Sequence, residues 1–515
     1  VLKIGAVEGT ECGVGSVKTN IGHAESAAGI ASVIKATLML QHNTCPKSLN
    51  FENPNPAIDF DSLRVKVQAQ KGPLRRHDRP ALVGVNSFGV GGTNVHVILQ
   101  EQVTKNDSVA DVKRAAHRPY LLPLFAQSAE SLRLNAQAMA DYLTENTEAQ
   151  IDDISYTLGN RRAPQMFCGI AKANSRDELI GMLKEFADTG QAKSLRQEIA
   201  GLEPIGDKLT FVYSGQGSQW WGMGRSLMEK EPLFKAAIER CDKELSKHCD
   251  WSLLDILAAD DETSLLGETQ YAQPAIFAIQ VALTELWKSV GIVPDAVVGH
   301  SVGEVSSAFV AGVLSFADAC QIIVTRARLM QGTTGFGSMV SVEATPDRLT
   351  KYLAKYGESV SIAAINGPTT TVLSGDANSV DQVIEELESA QISCLKLNVN
   401  YAFHSYQMES CKEQFIASLA DIEVRQPTIP LVSTVSGNWF ESGVTMQSAY
   451  WGDNIRQKVQ FLPAIETLID DGCKLFLEIG ARPVLTSGIA KTLNMKSVKG
   501  AALSTLQKGN DEFDS

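Results

Sequence analysis

The sequence predicts an α/β chain built of several units, on three observations. From "DKLTFVYSGQGSQ" onward, short apolar runs alternate with longer segments whose apolar residues recur every three or four positions, the pattern of strands alternating with helices. Inside that stretch, residues 337 to 399 change style. "GSMVSVEA", "SIAAIN", "TTVLSGD" and "ISCLKLNVN" read as strands, with "PDRLTKYLAKY" and "SVDQVIEELESA" as helices between them, the order of a ferredoxin-like insert. Finally, 515 residues exceed what one core fills, so roughly three or four units are expected.

The elements follow in order. Residues 1–100 are rich in glycine and small side chains. "GSVKTNIGHAESAAGIASVIKATLMLQH" predicts a strand, a polar loop at Thr19–His23 and a helix from about Ala24 to His42, and "PALVGVNSFGVGGTNVHVILQE" two strands around a glycine-rich turn. Residues 101–205 predict a small α/β unit: "SAESLRLNAQAMADYLTE" and "SRDELIGMLKEFAD" carry helical apolar spacing, and "FCGIAKA" reads as a strand. Residues 206–495 form the alternating domain, and 496–515 begin a further linker. The opening "VLKIGAVEGTECGVGSVKTNIGH" has neither an initiator methionine nor linker character, and reads as the middle of something longer.

Composition narrows the function. A net charge of −13 argues against a nucleic-acid partner. No run approaches the roughly 18 apolar residues a membrane span needs, and no basic segment followed by an apolar one opens the chain. The nine cysteines are odd in number and scattered, and none forms C-x-x-C, so neither a zinc site nor a disulfide framework is indicated; a reducing cytosol fits best.

The chemistry concentrates around "AVVGHSVGEVSSAFVAG", where Ser301 stands between two glycines after an apolar run. A strand entering a helix through Gly-x-Ser-x-Gly makes a tight elbow, with no room for a Cβ at the flanking positions. The hydroxyl is left at a helix N-terminus whose N–H groups suit a developing oxyanion. The same pentapeptide also fits an ordinary turn with a serine N-cap. Three further stretches bear on the choice. "FVYSGQGSQWWGMG" follows a strand, and Gly215 and Gly217 let the backbone of Gln216 approach a ligand; without a Walker lysine, the loop suits an oxyanion better than a phosphate. "VNYAFHSYQME" supplies His404, an imidazole base. "CQIIVTRARLMQ" carries Arg326 and Arg328, which point to different helix faces, so at most one aims into a cleft.

Together these stretches resemble the malonyl-type acyltransferases of fatty acid and polyketide synthesis. "GQGSQ", "TQYAQPAIFAIQ", "GHSVGE", the "TRARLMQ" arginine, "INGPTTTVLSG", "YAFHS" and "EIGARPVLTSGI" occur in the family's order and spacing over residues 206 to about 505. "GSVKTNIGHAESAAG" and "NSFGVGGTNVHVIL" resemble the C-terminal part of a ketosynthase, with Lys18 and His23 matching that family's lysine and second histidine; its nucleophilic cysteine and first histidine have no counterpart here. Residues 101–205 resemble the linker joining ketosynthase to acyltransferase, and "ALSTLQKGNDEFDS" the start of the linker after it.

The resemblance implies a hydrolase-like α/β acyltransferase core with a ferredoxin-like subdomain, next to a partial thiolase-like ketosynthase. It implies a Ser–His dyad of Ser301 and His404 with a backbone carbonyl orienting the imidazole, the main chain of Asn454 in "WGDNIRQKVQF" by motif position. It further implies an oxyanion site of the Gln216 and Val302 N–H groups, Arg326 paired with a substrate carboxylate, and Gln273 holding Arg326 or the substrate. No cofactor would stay bound: the acyl group arrives on CoA and leaves on the phosphopantetheine of an acyl carrier protein, within a megasynthase. In the family, His-Ala-Phe-His at the catalytic histidine goes with malonyl and Tyr-Ala-Ser-His with methylmalonyl. Tyr401-Ala402-Phe403-His404 is a hybrid in which Phe403 opposes an extra methyl, Val302 also fits malonyl, and Tyr401 points the other way. Malonyl-CoA is therefore expected over methylmalonyl-CoA. The rival readings are a non-catalytic docking fragment, in tension with the intact dyad, and an ordinary ester hydrolase, in tension with the motif order and Arg326.

Overall fold

A computed structural model describes residues 11–74, 80–102, 118–191, 195–199 (backbone only), 208–440, 446–509 and 512. The expected boundary between residues 205 and 206 lies outside them. The chain divides into two units, Val1–Arg114 and Ala115–Ser515.

In the first unit, Leu82–Phe88 and Asn94–Gln100 pair as an antiparallel hairpin around the expected glycine turn. Helix Ala28–Gln41 packs on it so closely that a Cβ on Gly29 would lie 3.0 Å from Ser87 Oγ. The loop expected at Thr19–His23 is partly helical, because Lys18–Ile21 closes a turn with the Gly22 N–H donating to the Lys18 carbonyl.

The second unit contains three cores. In the first, Tyr120–Ala126, Phe167–Ala173 and Leu195–Ile199 form an antiparallel sheet. The two expected helices, Ala129–Glu145 and Arg176–Thr189, lie against it, each capped by a serine that accepts the N–H three residues on. A further helix, Ile151–Arg161, was not legible: its apolar residues are broken by Asp152, Asp153 and Gly159.

The largest core surrounds a parallel five-stranded sheet. Its spatial order is Leu431–Val432, Ala296–Gly299, Leu209–Tyr213, Leu475–Ile479, Ala501–Ser504. Numbered along the chain this is 3-2-1-4-5, a doubly wound sheet, whose ligand sites lie beyond the carboxyl ends of the strands. Phe211, Val297, Val298, Phe476 and Ile479 are buried, which is why these strands read as apolar runs without alternation. Residues 496–515, expected as the start of a linker, instead supply the edge strand Ala501–Ser504, four residues too short to stand out by periodicity.

The insert has a core of its own, with Val340, Leu349, Leu373, Val380 and Leu387 at its centre. Its sheet order, Val360–Gly367, Thr370–Asp376, Gly337–Val342, Cys394–Lys396, is antiparallel throughout, and helices Pro346–Leu353 and Ala377–Ser389 complete the expected ferredoxin-like pattern. The chain enters and leaves through one seam. Gly335 N donates to the Asn400 carbonyl at 2.6 Å, and a Cβ on Gly337 would lie 2.4 Å from Ala402 N.

Candidate active site

The elbow is built by exclusion. Strand Ala296–Gly299 is buried throughout and runs directly into helix Gly303–Val310. A Cβ on Gly299 would lie 2.2 Å from the Gly303 carbonyl oxygen, and one on Gly303 would lie 2.2 Å from that of Tyr213. Only glycine allows this approach. Between them Ser301 takes φ +52°, a left-handed conformation that costs of order 1–3 kcal/mol in a non-glycine residue.

Ser301 Oγ lies 2.8 Å from His404 Nε2, and His404 Nδ1 lies 2.8 Å from the Gln457 carbonyl oxygen. A carbonyl only accepts, so Nδ1 carries the hydrogen and Nε2 presents its lone pair to the serine hydroxyl. Burial, followed by the charge of Arg326, lowers the His404 pKa from 6.5 to about 3. The ring is therefore a neutral base at ordinary pH.

The orienting carbonyl is a correction. It belongs to Gln457 and not to Asn454. Asn454 sits inside helix Ser448–Arg456, where carbonyls align with the helix axis; Gln457 follows the helix end in an extended conformation (φ −75°, ψ 156°) and turns its carbonyl to the ring. The Asn454 side chain has another use. Its Nδ2 donates to Glu304 Oε2 at 2.8 Å and to the Ser301 carbonyl at 3.3 Å, and its Oδ1 accepts from Arg326 Nε at 3.4 Å.

Arg326 is 1% exposed and Arg328 is exposed, so helix Phe316–Gln331 turns one arginine inward. An Arg326 Nη donates to Ser301 Oγ at 3.0 Å. Burial lowers its pKa to about 9, so it remains a cation at neutral pH. Among the described residues, no carboxylate is hydrogen-bonded to it. Glu304, in the first turn after the elbow, is fully buried, and burial raises its pKa. It accepts from Thr434 N, Thr434 Oγ1, Tyr450 OH and Asn454 Nδ2 at 2.5–3.1 Å. Four donors satisfy the carboxylate without using the arginine.

The glycine-rich loop lies beside the elbow: a Cβ on Gly215 would be 2.7 Å from His300 Nδ1. Neither the Gln216 nor the Val302 N–H has a partner among the described residues. Of the two partners expected for Gln273, Arg326 or the substrate, Arg326 is not one. Gln273 Nε2 donates to Gln216 Oε1 at 3.0 Å, and its own buried Oε1 has no partner. Tyr401 and Phe403 are buried and stacked, ring centroids 3.8 Å apart and planes at 10°. In the other unit, Lys18 opens the short helix and His23 is exposed, its Nδ1 accepting from Glu25 N at 3.0 Å.

Sequence reasoning missed Gln457, Glu304 and Tyr450. A backbone carbonyl leaves no residue signature, and Glu304, although inside "GHSVGE", gives no sign of partners 130 and more residues away.

A strained serine on a strand–helix elbow, with a neutral imidazole on its Oγ at the carboxyl end of a parallel sheet, defines a serine-dependent acyl-transfer protein. Comparison with known proteins narrows the class. Residues 210–515 match the family described as acyl transferase domain, residues 3–52 the beta-ketoacyl synthase C-terminal domain, and residues 54–167 the ketoacyl-synthetase C-terminal extension. The chain is 36% identical over 505 residues to polyketide synthase GfsA of Streptomyces halstedii, covering 97% of this chain and 7% of GfsA. It is 34% identical over 503 residues to erythronolide synthase EryA2 of Saccharopolyspora erythraea, covering 97% and 14%. The acyltransferase domain from module 8 of the salinomycin polyketide synthase matches with a TM-score of 0.71 and 31% identity, over 78% of this chain and 95% of that one. The acyltransferase domain of SpnD, in complex with 2-(pent-4-yn-1-yl)malonyl, matches with a TM-score of 0.67 and 27% identity, over 77% and 93%. The chain belongs to the acyltransferase domains of modular polyketide synthases, preceded by the C-terminal part of a ketosynthase. No helix among the described residues is long and apolar enough to cross a membrane.

Proposed function

We propose that this domain loads a malonyl-type extender from CoA onto the phosphopantetheine of an acyl carrier protein through an ester on Ser301. One observation carries the reading: a guanidinium buried to 1% exposure beside the nucleophile, with no hydrogen-bonded carboxylate among the described residues. A buried charge calls for a partner, and a planar fork suits a carboxylate. The malonyl group supplies one.

His404 Nε2 takes the serine proton as Oγ attacks the thioester carbonyl. The Gln216 and Val302 N–H groups receive the oxyanion, worth a few kcal/mol as in other oxyanion sites. Collapse expels the CoA thiolate, which takes the proton from His404. The carrier-protein thiol then gives its proton to His404 and attacks the acyl ester by the same route, in ping-pong order. Arg326 exchanges its hydrogen bond to Oγ for the substrate carboxylate, which frees Oγ to react.

Phe403, buried and stacked on Tyr401, supports malonyl over methylmalonyl. Residues 1–100 are read as performing no condensation by themselves, because neither Cys12 nor Cys45 stands in a ketosynthase nucleophile motif. All nine cysteines are unbridged, in keeping with a reducing cytoplasmic setting inside a megasynthase. The test is active-site titration with radiolabelled malonyl-CoA. Stoichiometric labelling of Ser301 that moves to a carrier protein is expected. Labelling that persists in Ser301→Ala overturns the assignment.

A further inference from the structure

The Tyr401 hydroxyl points along the stacked pair to the glycine-rich loop. Gln216 Nε2 donates to Tyr401 Oη and to Thr269 Oγ1, both at 3.2 Å, while Gln216 Oε1 accepts from Gln273 Nε2 at 3.0 Å. Both N–H groups and one lone pair of the Gln216 amide are thus held, by residues 53, 57 and 185 positions away. The loop needs such restraint. Gly215 and Gly217 flank Gln216, Gly217 at φ +112°, so the backbone here carries the conformational freedom of two glycines. On the far side Arg482 donates to the Gly217 carbonyl and Gln219 Oε1 accepts from Gly217 N at 2.7 Å. Gln219 thereby holds the Gln216–Gly217 peptide, and Ser218 Oγ donates at 3.1 Å to the Gly215 carbonyl, which shares a peptide with the Gln216 N–H. The Gln216 side chain is a further anchor on this residue, the one that reaches Tyr401.

We infer that Tyr401 is a positioning residue for the oxyanion donor, holding the Gln216 N–H through the Gln216 side chain. The inference rests on the proposed acyl-transfer role of Ser301. It gives the first tetrapeptide residue a task separate from extender choice. Tyr401 is buried, and burial pushes its pKa up to about 12, so the hydroxyl stays neutral and accepts the amide proton at working pH. Stacking on Phe403 fixes the ring that carries it.

The test uses the full chain and two reactions. Acylation by malonyl-CoA and by methylmalonyl-CoA gives kcat and KM. Inactivation of Ser301 by an uncharged alkyl fluorophosphonate uses the dyad and the oxyanion donors but offers Arg326 no carboxylate and the extender pocket no acyl group; Arg326 is unchanged in every variant compared. Tyr401→Phe, which keeps the stacked ring, is expected to lower kcat for both thioesters and the fluorophosphonate rate by a common factor of about ten, a fraction of what outright loss of an oxyanion donor costs. KM and the ratio of the two thioesters stay near wild type. Gln216→Met removes this hydrogen bond together with those to Thr269 and Gln273 and is expected to lower the same rates at least as far, with the double variant no worse than Gln216→Met alone. If Tyr401→Phe does not fold, Gln216→Met alone decides. A fluorophosphonate rate within about twofold of wild type overturns the inference, whatever happens to extender choice. A wild type that reacts with the fluorophosphonate but not with malonyl-CoA refutes the proposed substrate and leaves this test intact.

Discussion

Arg326 Nη and His404 Nε2 meet on one atom: Ser301 Oγ lies 3.0 Å from the first and 2.8 Å from the second. The cation that would bind the substrate carboxylate also touches the nucleophile and lowers the pKa of the base. Binding and reactivity are therefore coupled through a single oxygen.

Arg326→Ala removes the carboxylate's partner and a buried charge while enlarging the pocket. Malonyl transfer is expected to fall sharply and acetyl transfer to improve in relative terms. The malonyl-to-acetyl ratio of kcat/KM is the measurement. An unchanged ratio would mean that Arg326 does not face the substrate.

The pH dependence follows from the neutral imidazole. His404 has a pKa of about 3 in the folded chain against 6.5 when unperturbed. Between those values the unfolded chain binds the extra proton, so stability is retained above pH 6.5 and declines as pH falls toward 3. The acid limb of acylation kcat/KM is likewise expected well below 6.5. In Arg326→Ala it should move up, because one lowering cause is gone. A wild-type limb at or above 6.5, read from Ser301 labelling across pH, contradicts this.

Gln457→Ala keeps the carbonyl that receives His404 Nδ1, so loading within about threefold of wild type is expected. Asn454→Ala takes partners from Glu304, Arg326 and the Ser301 carbonyl together. A stability loss of about 1–3 kcal/mol is expected, the penalty for leaving buried polar groups unpaired, with a fall in loading. Urea unfolding and labelling rates compare the pair. The reverse ranking would mean that the Gln457 side chain matters beyond its carbonyl and would overturn the role given to the Asn454 amide.

Phe403→Ser opens space beside the substrate's C2. Competition between the two CoA esters, read by mass of the acyl-Ser301 peptide, is expected to shift toward methylmalonyl by about 10- to 200-fold, what one methyl in an apolar pocket is worth. The lost ring also leaves a cavity, costing about 3–5 kcal/mol. A wild-type preference for methylmalonyl would remove Phe403 as the determinant.

Much of this was legible because it is local. The elbow needs glycines at 299 and 303, and Phe211 and Val297 are apolar because both sheet faces are covered. Helix periodicity alone separated Arg326 from Arg328 only as two faces; the resemblance chose Arg326, and packing buries it. What stayed hidden depends on chain folded far away. Gln457 acts through a carbonyl that every residue has, and nothing near Glu304 in sequence reveals Thr434, Tyr450 and Asn454.

Nucleophile and base enter the site from opposite sides of the insert's seam. Ser301 belongs to the parallel sheet, and His404 follows the insert's last strand, three residues past Tyr401. At the seam the Gly335 N–H holds the Asn400 carbonyl, and Gly337 presses on Ala402 with no room for a Cβ. Tyr401–His404 thus lies where the insert rejoins the sheet domain, with the base, the stacked aromatics and the Gln216 contact on four consecutive residues. A transplant of residues 337–399 alone between homologues would leave Tyr401–His404 with the host and change only what packs against them at the seam.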